Sequence, residues 1–221
     1  MFNKIEEALQ DIKKGKMVII VDGKNRENEG DLVLAAEFVT PQAINFMITH
    51  GKGLVCIAMT QEDLDKLNIT QMVENNTDNH QTAFTISVDY KDTKTGISAF
   101  ERALTIQQLI NPESKAEDFK RPGHVFPLKA REKGILDRPG HTEATVDLTE
   151  LAGLKKAGVI CEIINEDGKM ARLPELKKIA KKWNLKIISI TDLIDFKKKI
   201  KLQIRKVSKV YLPTKFGNFL M

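Results

Sequence analysis

Cysteine, aromatic residues and long apolar runs are all scarce in this chain. Cysteine occurs twice, at Cys56 and Cys161, with no Cys-x-x-Cys spacing. That excludes a disulfide framework and a cysteine-based zinc site. Both thiols lie in apolar runs, where buried cysteines are common. Aromatics make up 6% of the residues, a poor basis for a base-stacking platform. No apolar run reaches the length of a membrane span, and Met1-Phe2-Asn3-Lys4 lacks a signal peptide's apolar core. The expected location is therefore the cytoplasm, with no membrane partner. Nucleotide motifs are missing as well. Gly51-Lys52-Gly53 fails the Gly-x-Gly-x-x-Gly fingerprint because Cys56 holds its third position, and no phosphate-binding P-loop occurs.

Charge is plentiful and unevenly placed. Residues 1–150 hold 18 Lys+Arg against 24 Asp+Glu, whereas residues 151–221 hold 17 against 6. A basic end of this kind can meet nucleic acid, but most such runs are solvated helix faces. With so few aromatics, no nucleic-acid partner is expected.

Hydrophobic periodicity predicts alternating helices and strands. Ile5, Ala8, Leu9 and Ile12 mark a first helix, capped by Asn3 and stopped by Gly15. Met17–Val21 and Leu32–Ala36 are buried strands. Thr40-Pro41 opens a helix ending near Gly51, and a strand over Leu54–Met59 leads to a short helix capped by Thr60. Phe84, Ile86 and Val88 alternate as a half-buried strand, and Ser98–Ile110 is helical. A strand over Gly158–Ile164 turns through Asn165-Glu166-Asp167-Gly168. Pro174 opens a helix, Lys186–Ile190 is a strand, and Thr191-Asp192 caps a last helix. No linker splits residues 1–200. The expectation is one α+β (layered α/β) domain, a mixed sheet flanked by helices.

Three stretches carry chemistry. In Val21-Asp22-Gly23-Lys24-Asn25-Arg26-Glu27-Asn28-Glu29-Gly30-Asp31, four carboxylates crowd into ten residues. They repel one another unless a cation joins them. Arg26 neutralises one, and oxygen ligands of this kind suit Mg²⁺ or Mn²⁺. The second stretch is Arg121-Pro122-Gly123-His124, nearly repeated as Arg138-Pro139-Gly140-His141-Thr142-Glu143. Pro-Gly predicts a tight turn at each. Arg138, the Gly140 and His141 amides and the Thr142 hydroxyl would form an anion cradle if a helix starts at Thr142. The third is Glu162, a carboxylate in an apolar strand, costly to bury unless functional; the alternative is the exposed face of an edge strand.

Together with Asn75-Asn76-Thr77-Asp78, Thr95-Gly96-Ile97-Ser98-Ala99, Val125-Phe126-Pro127-Leu128 and Gly158-Val159-Ile160-Cys161-Glu162, these stretches resemble 3,4-dihydroxy-2-butanone 4-phosphate synthase of riboflavin biosynthesis. The resemblance covers about residues 3–200. It implies a lyase that converts D-ribulose 5-phosphate to L-3,4-dihydroxy-2-butanone 4-phosphate and formate. It also implies Mg²⁺ (or Mn²⁺), no organic cofactor, and a homodimer with active sites at the interface. Carried over by position, Glu27 and His141 would bind metal. Arg26, Glu27, Asp31, the run Arg138, Pro139, Gly140, His141 and Thr142, and Glu162 would bind substrate. His124 and Glu162 match residues essential for catalysis, with Glu29 and Asp22 assisting proton transfer. Thr95 and Ser98 are phosphate-contact candidates, and Cys56 would line the pocket.

A base is needed to take the C3 proton beside the ketone, and a metal to steady the resulting enediolate. The alternative is a metal-dependent phosphosugar isomerase or aldolase using the same enediolate without releasing formate. Gly23 and Lys24 depart from the family pattern after Asp22, as do Glu101 before Arg102 and Lys133 before Gly134. Residues 201–221, through Val210-Tyr211-Leu212-Pro213-Thr214, resemble the opening of a GTP cyclohydrolase II domain. With no cysteine after Cys161 for that domain's zinc site, the expectation is a cut-off start or a remnant without its activity.

Overall fold

The computed structural model describes residues 2–201 and 211–220. Its elements, in chain order, are α1 (Ile5–Lys13), β1 (Val18–Val21), β2 (Gly30–Ala35), α2 (Pro41–Phe46), β3 (Cys56–Met59), α3 (Gln61–Lys66), β4 (Val88–Tyr90) and α4 (Ala99–Leu109). There follow β5 (Phe119–Lys129), α5 (His141–Leu151), β6 (Gly158–Glu162), α6 (Leu173–Trp183), β7 (Lys186–Ser189), α7 (Ile190–Lys201), β8 (Tyr211–Thr214) and β9 (Gly217–Leu220). A π-helical turn, Met47–Gly51, extends α2.

Seven strands form one mixed sheet in the order β4-β5-β3-β6-β2-β1-β7. The pairs β3–β5 and β1–β7 are parallel, and the rest are antiparallel. Strand alternation serves two cores. Ile19, Val21, Leu32, Ile57 and Val159 face Ile44 of α2, Ile106 of α4 and Leu176 of α6. Val18, Ile20, Val33, Cys56 and Ile160 face Ala8 of α1, Leu148 of α5 and Leu193 of α7. The sheet is thus buried on both sides, which explains its uninterrupted apolar strands. The expected mixed sheet flanked by helices is what forms. Among the described residues no helix is long and apolar enough to cross a membrane.

Local readings hold where a short-range cap decides. The Thr40, Thr60 and Ser98 hydroxyls accept the amides of Ala43, Asp63 and Glu101. They fail where a distant partner competes. Asn3 is not the first cap, because its Oδ1 accepts the amide of Ile187 at 3.0 Å and Lys4 takes the cap position. The last helix starts at Ile190, with Ser189 rather than Thr191 accepting the Asp192 amide at 3.0 Å. Phe84 and Thr85 make only single bridges, so the ladder of that strand begins at Val88.

Arg121-Pro122-Gly123-His124 is likewise not an isolated turn but lies within β5. Nor does Glu162 lie on an edge strand: β6 has β3 and β2 on its two sides. The tail's β8 and β9 pair as a hairpin, while residues 202–210, the first part of the resemblance to a second domain, lie outside the described residues.

Candidate active site

The β1–β2 connection holds the acidic stretch, and Asp22 organises it. Its Oδ2 accepts the Glu27 amide at 2.9 Å and Arg26 Nη1 at 3.1 Å, while Oδ1 accepts the Glu29 amide at 2.8 Å. Both oxygens are occupied by the loop itself. From outside, Arg172 Nη1 donates to the carbonyls of Glu27 at 2.9 Å and Asn28 at 2.5 Å. Arg172 stands where α6 begins, so a side chain 145 residues downstream of Glu27 clamps the loop. Nothing in the local sequence announces it.

This folding turns Glu27 toward the first residue of α5. His141 Nδ1 is 3.4 Å from Glu27 Oε2, and its Nε2 is 3.9 Å from Asp31 Oδ1. Burial opposes ionisation of Glu27, but the hydrogen bond from His141 and the Arg26 charge outweigh it and hold the carboxyl at about 2. Burial also disfavours charge on His141; the Asp31 carboxylate and the Glu27 hydrogen bond nevertheless raise it to about 9. Asp31 is pushed up by burial, opposed by His141 and reinforced by the charges of Glu162, Glu27 and Glu29. Burial, then the Glu27 charge, raises Glu29 as well.

Ligand atoms of Asp22, Glu27 and His141 lie within 4.8 Å of one another. Asp31 Oδ1 and His141 Nε2 are buried with no hydrogen-bond partner among the described residues. Buried polar atoms are rarely left so, given their desolvation cost. Carboxylate oxygens with one imidazole suit a hard divalent cation. The donor set fits the expected metal.

Beside it lies a cationic cradle. A Cβ placed on Gly140 would meet Arg138 Nη1 at 2.2 Å and Arg26 Nη2 at 2.9 Å. Two guanidiniums therefore flank the glycine that caps α5. The intrahelical ladder there starts with the Ala144 amide bonding Gly140, which leaves the amides of His141 to Glu143 unpaired along the helix. The helix starts one residue earlier than expected, at His141, which makes the metal-type ligand and the anion-type terminus neighbours. Pro139 and Gly140 supply the entry to it, and Thr142 is buried in its first turn.

Arg138 is fixed from three sides: by Glu143 Oε2 at 2.7 Å, by Thr82 Oγ1 at 3.0 Å and by the His80 carbonyl at 3.1 Å. The 76–82 loop is built by the Asn75-Asn76-Thr77-Asp78 motif, since Asp78 accepts the amides of His80 and Thr82 and Asn76 donates to the Thr82 carbonyl.

Glu162 ends β6 directly opposite Asp31 and accepts the Leu54 amide at 2.7 Å. The rejected Gly51-Lys52-Gly53 stretch acquires a role here, with the Gly53 amide bonding the Glu162 carbonyl at 3.2 Å. Other expected site residues are not in this cluster. His124, on β5, is separated from β6 by β3, about 10 Å at ordinary strand spacing. Its ring bonds Asp89 at 2.7 Å instead. Thr95 and Ser98 spend their hydroxyls on Glu101 Oε2, at 3.0 and 3.3 Å. Cys56 is core, not pocket lining, 1% exposed among Ile160 and Ala144, and burial raises its thiol well above the usual range. Sequence reading missed Asp89 and Arg172, partners reached only through the tertiary fold, and gave no role to Glu143 within the Arg138–Glu143 run.

What fold and site define together is a mixed-sheet α/β protein in which donors of the hard-cation type adjoin a cationic helix terminus. The 3,4-dihydroxy-2-butanone 4-phosphate synthase family model matches residues 6–196, and the chain belongs to that family. The chain is 57% identical over 219 residues to the riboflavin biosynthesis protein RibBA of Bacillus mycoides, 99% of this chain and 55% of that protein. RibBA of Bacillus cereus shows the same figures, so the chain spans about half the length of the curated relatives it matches. Among solved structures, RibBX, a two-domain 3,4-dihydroxy-2-butanone 4-phosphate synthase from A. baumannii, is similar at TM-score 0.88 and 45% identity. It covers 99% of this chain and 65% of its own. A 3,4-dihydroxy-2-butanone 4-phosphate synthase in complex with two magnesium ions superposes at TM-score 0.87 and 41% identity, covering 90% of this chain and 99% of that one.

Proposed function

We propose that the chain catalyses its family's reaction, converting D-ribulose 5-phosphate to L-3,4-dihydroxy-2-butanone 4-phosphate and formate. The observation that carries this reading is the juxtaposition at the start of α5. Buried, partnerless His141 Nε2 and Asp31 Oδ1 adjoin Glu27, and two guanidiniums flank Gly140 one residue away. Glu27 and His141 would hold Mg²⁺, or Mn²⁺, and the related synthase solved with two magnesium ions supports that assignment. A bound divalent cation supplies Lewis-acid stabilisation of negative charge on the substrate's oxygens.

The chain's own residues do the rest. Arg26, Arg138 and the α5 terminus hold the unreactive phosphate and fix the sugar's position. Asp31, buried beside His141, and Glu29 exchange protons with the sugar together with Glu162, which faces Asp31. Asp22 serves by shaping the loop. No organic cofactor is needed.

His124 belongs to the same chemistry but lies strands away within one chain. That separation supports a homodimer in which His124 of the partner subunit completes each site; Thr95 would approach the phosphate from the same side. Cys56 and Cys161 are free and buried, which supports a reducing compartment, the cytoplasm. For residues 201–221 we read the start of a second, GTP cyclohydrolase II-like unit, consistent with relatives nearly twice as long.

Formate release from ribulose 5-phosphate tests the reading. It should occur with Mg²⁺, stop with excess chelator, and be abolished by Glu27→Gln, His141→Ala and His124→Ala. Mixing inactive His124→Ala and His141→Ala protomers should restore part of the activity, because one mixed site is intact. Metal-independent turnover would sink the assignment, and failure of exchanged protomers to complement would sink the shared site.

A further inference from the structure

The β4–β5 ladder contains an irregularity that ends at His124. Val88 pairs with Val125, but the next residue, Asp89, pairs with Lys120. Residues 121–124 are therefore squeezed out of register, as in an extended β-bulge. The freed amides need acceptors, and side chains in and just before β4 supply two: Ser87 Oγ accepts the Gly123 amide at 3.1 Å, and Asp89 Oδ1 accepts the His124 amide at 2.9 Å. Asp89 goes further. Its second oxygen, Oδ2, lies 2.7 Å from His124 Nδ1. The carboxylate is 9% exposed and the imidazole 45%. Gly96 closes over it so tightly that a Cβ there would lie 2.0 Å from Asp89 Oδ2. The carboxylate is gripped and the ring is accessible.

We propose that Asp89 is the positioning residue of His124, fixing both the ring's orientation and its tautomer. An ionised carboxylate only accepts hydrogen bonds. With Oδ1 anchored on the backbone amide, Oδ2 requires the neutral imidazole to carry its proton on Nδ1. Nε2 is then the bare lone pair, and among the described residues it bonds no protein group. That is the arrangement of a base-first histidine: Nε2 takes a proton from substrate and later returns it, while Asp89 stays ionised and stabilises the transient imidazolium. The proposal rests on the reading of His124 as a catalytic group.

Asp89→Asn separates tautomer control from mere support of the bulge. The amide oxygen can still accept the His124 amide, which leaves the NH₂ group facing Nδ1 as a donor. Nδ1 must then be the acceptor, and the proton moves to Nε2. The variant should fold, keep KM within roughly threefold and lose about 10²–10⁴-fold in kcat, the usual worth of a general base. Nitrogen-15 NMR of the neutral ring, assigned with His124→Ala, should show Nδ1–H in the parent protein and Nε2–H in Asp89→Asn. Full kcat in Asp89→Asn beside an inactive His124→Ala would overturn the proposal and leave the catalytic reading of His124 standing. An active His124→Ala would remove that reading and the proposal with it. If Asp89→Asn does not fold, the parent protein's ring decides: an Nε2–H tautomer there overturns the proposal.

Discussion

Gly140→Ala is the most economical probe of the anion cradle. The backbone at Gly140, φ −109° and ψ 163°, is extended and open to any residue, so the substitution strains no dihedral angle. Its single new methyl group would lie 2.2 Å from Arg138 Nη1 and 2.9 Å from Arg26 Nη2. Ordinary contact distances require Arg138 to retreat by about 1 Å. A free arginine would simply swing aside, but this one is held by Glu143, Thr82 and the His80 carbonyl. The retreat therefore costs either those bonds or the alignment toward the ligand.

Loss of one charge-assisted hydrogen bond to phosphate is worth about 1.5–3 kcal/mol, a rise in KM of roughly ten- to hundredfold. The phosphate does not react, so the lost binding is common to ground and transition states and kcat should stay near the parent value. Replacing a glycine N-cap with alanine costs at most about 1 kcal/mol of stability, visible as a small fall in Tm and separable from the KM effect. Steady-state formate kinetics on the folded variant give the answer. A KM within twofold of the parent, or a fall in kcat at unchanged KM, would refute the cradle.

Arg172→Ala should loosen the acidic loop without touching any metal-type ligand. It removes the hydrogen bonds to the Glu27 and Asn28 carbonyls, but the side chain is 44% exposed, so the effect is about tenfold in Mg²⁺ affinity, not more. Calorimetric titration of the metal-free protein, with proteolysis of the loop as a second readout, checks it; unchanged affinity and cleavage would count against the clamp. Glu101 governs the 94–98 loop in a pH-dependent way. Hydrogen bonds from the Lys94 amide and the Thr95 and Ser98 hydroxyls hold its carboxyl below the usual range. The folded value is depressed, so the loop's anchorage is complete above the unfolded value and is lost as pH falls through the folded one. Protection of the amides at residues 94–98, taken relative to the intrinsic exchange rate at each pH, should fall on acidification in the parent protein and show no such fall in Glu101→Gln.

The candidate site was legible in the sequence to the extent that its chemistry lies in contiguous stretches. Carboxylates crowded around Glu27 and an Arg-Pro-Gly-His run before a helical pattern are local features, and both cluster as expected. Asp22 lies beside Glu27 and His141, but its use by the Glu27 and Glu29 amides is not legible in the sequence, because it depends on how the loop folds back. Asp89 and Arg172 carry no sequence signal: an isolated Asp in an apolar strand reads as solvent-facing until β5 is laid beside it. The Arg121-Pro122-Gly123-His124 run misled for the same reason. Pro-Gly favours a tight turn locally, but pairing of the flanking Phe119, Lys120 and Val125 with β4 overrides that preference and holds the segment as a bulge. Thr95 and Ser98 were phosphate-contact candidates by the family resemblance, and only Glu101 at the start of α4 explains where they bond.

The central claim is that the site removes a single carbon from a five-carbon sugar phosphate under control of a divalent metal. Uniformly ¹³C-labelled ribulose 5-phosphate followed by NMR tests it most directly. The account predicts equal amounts of labelled formate and a four-carbon phosphate with Mg²⁺, and neither with excess chelator. A five-carbon product, a split into two- and three-carbon fragments, or the same products with chelator present would contradict it.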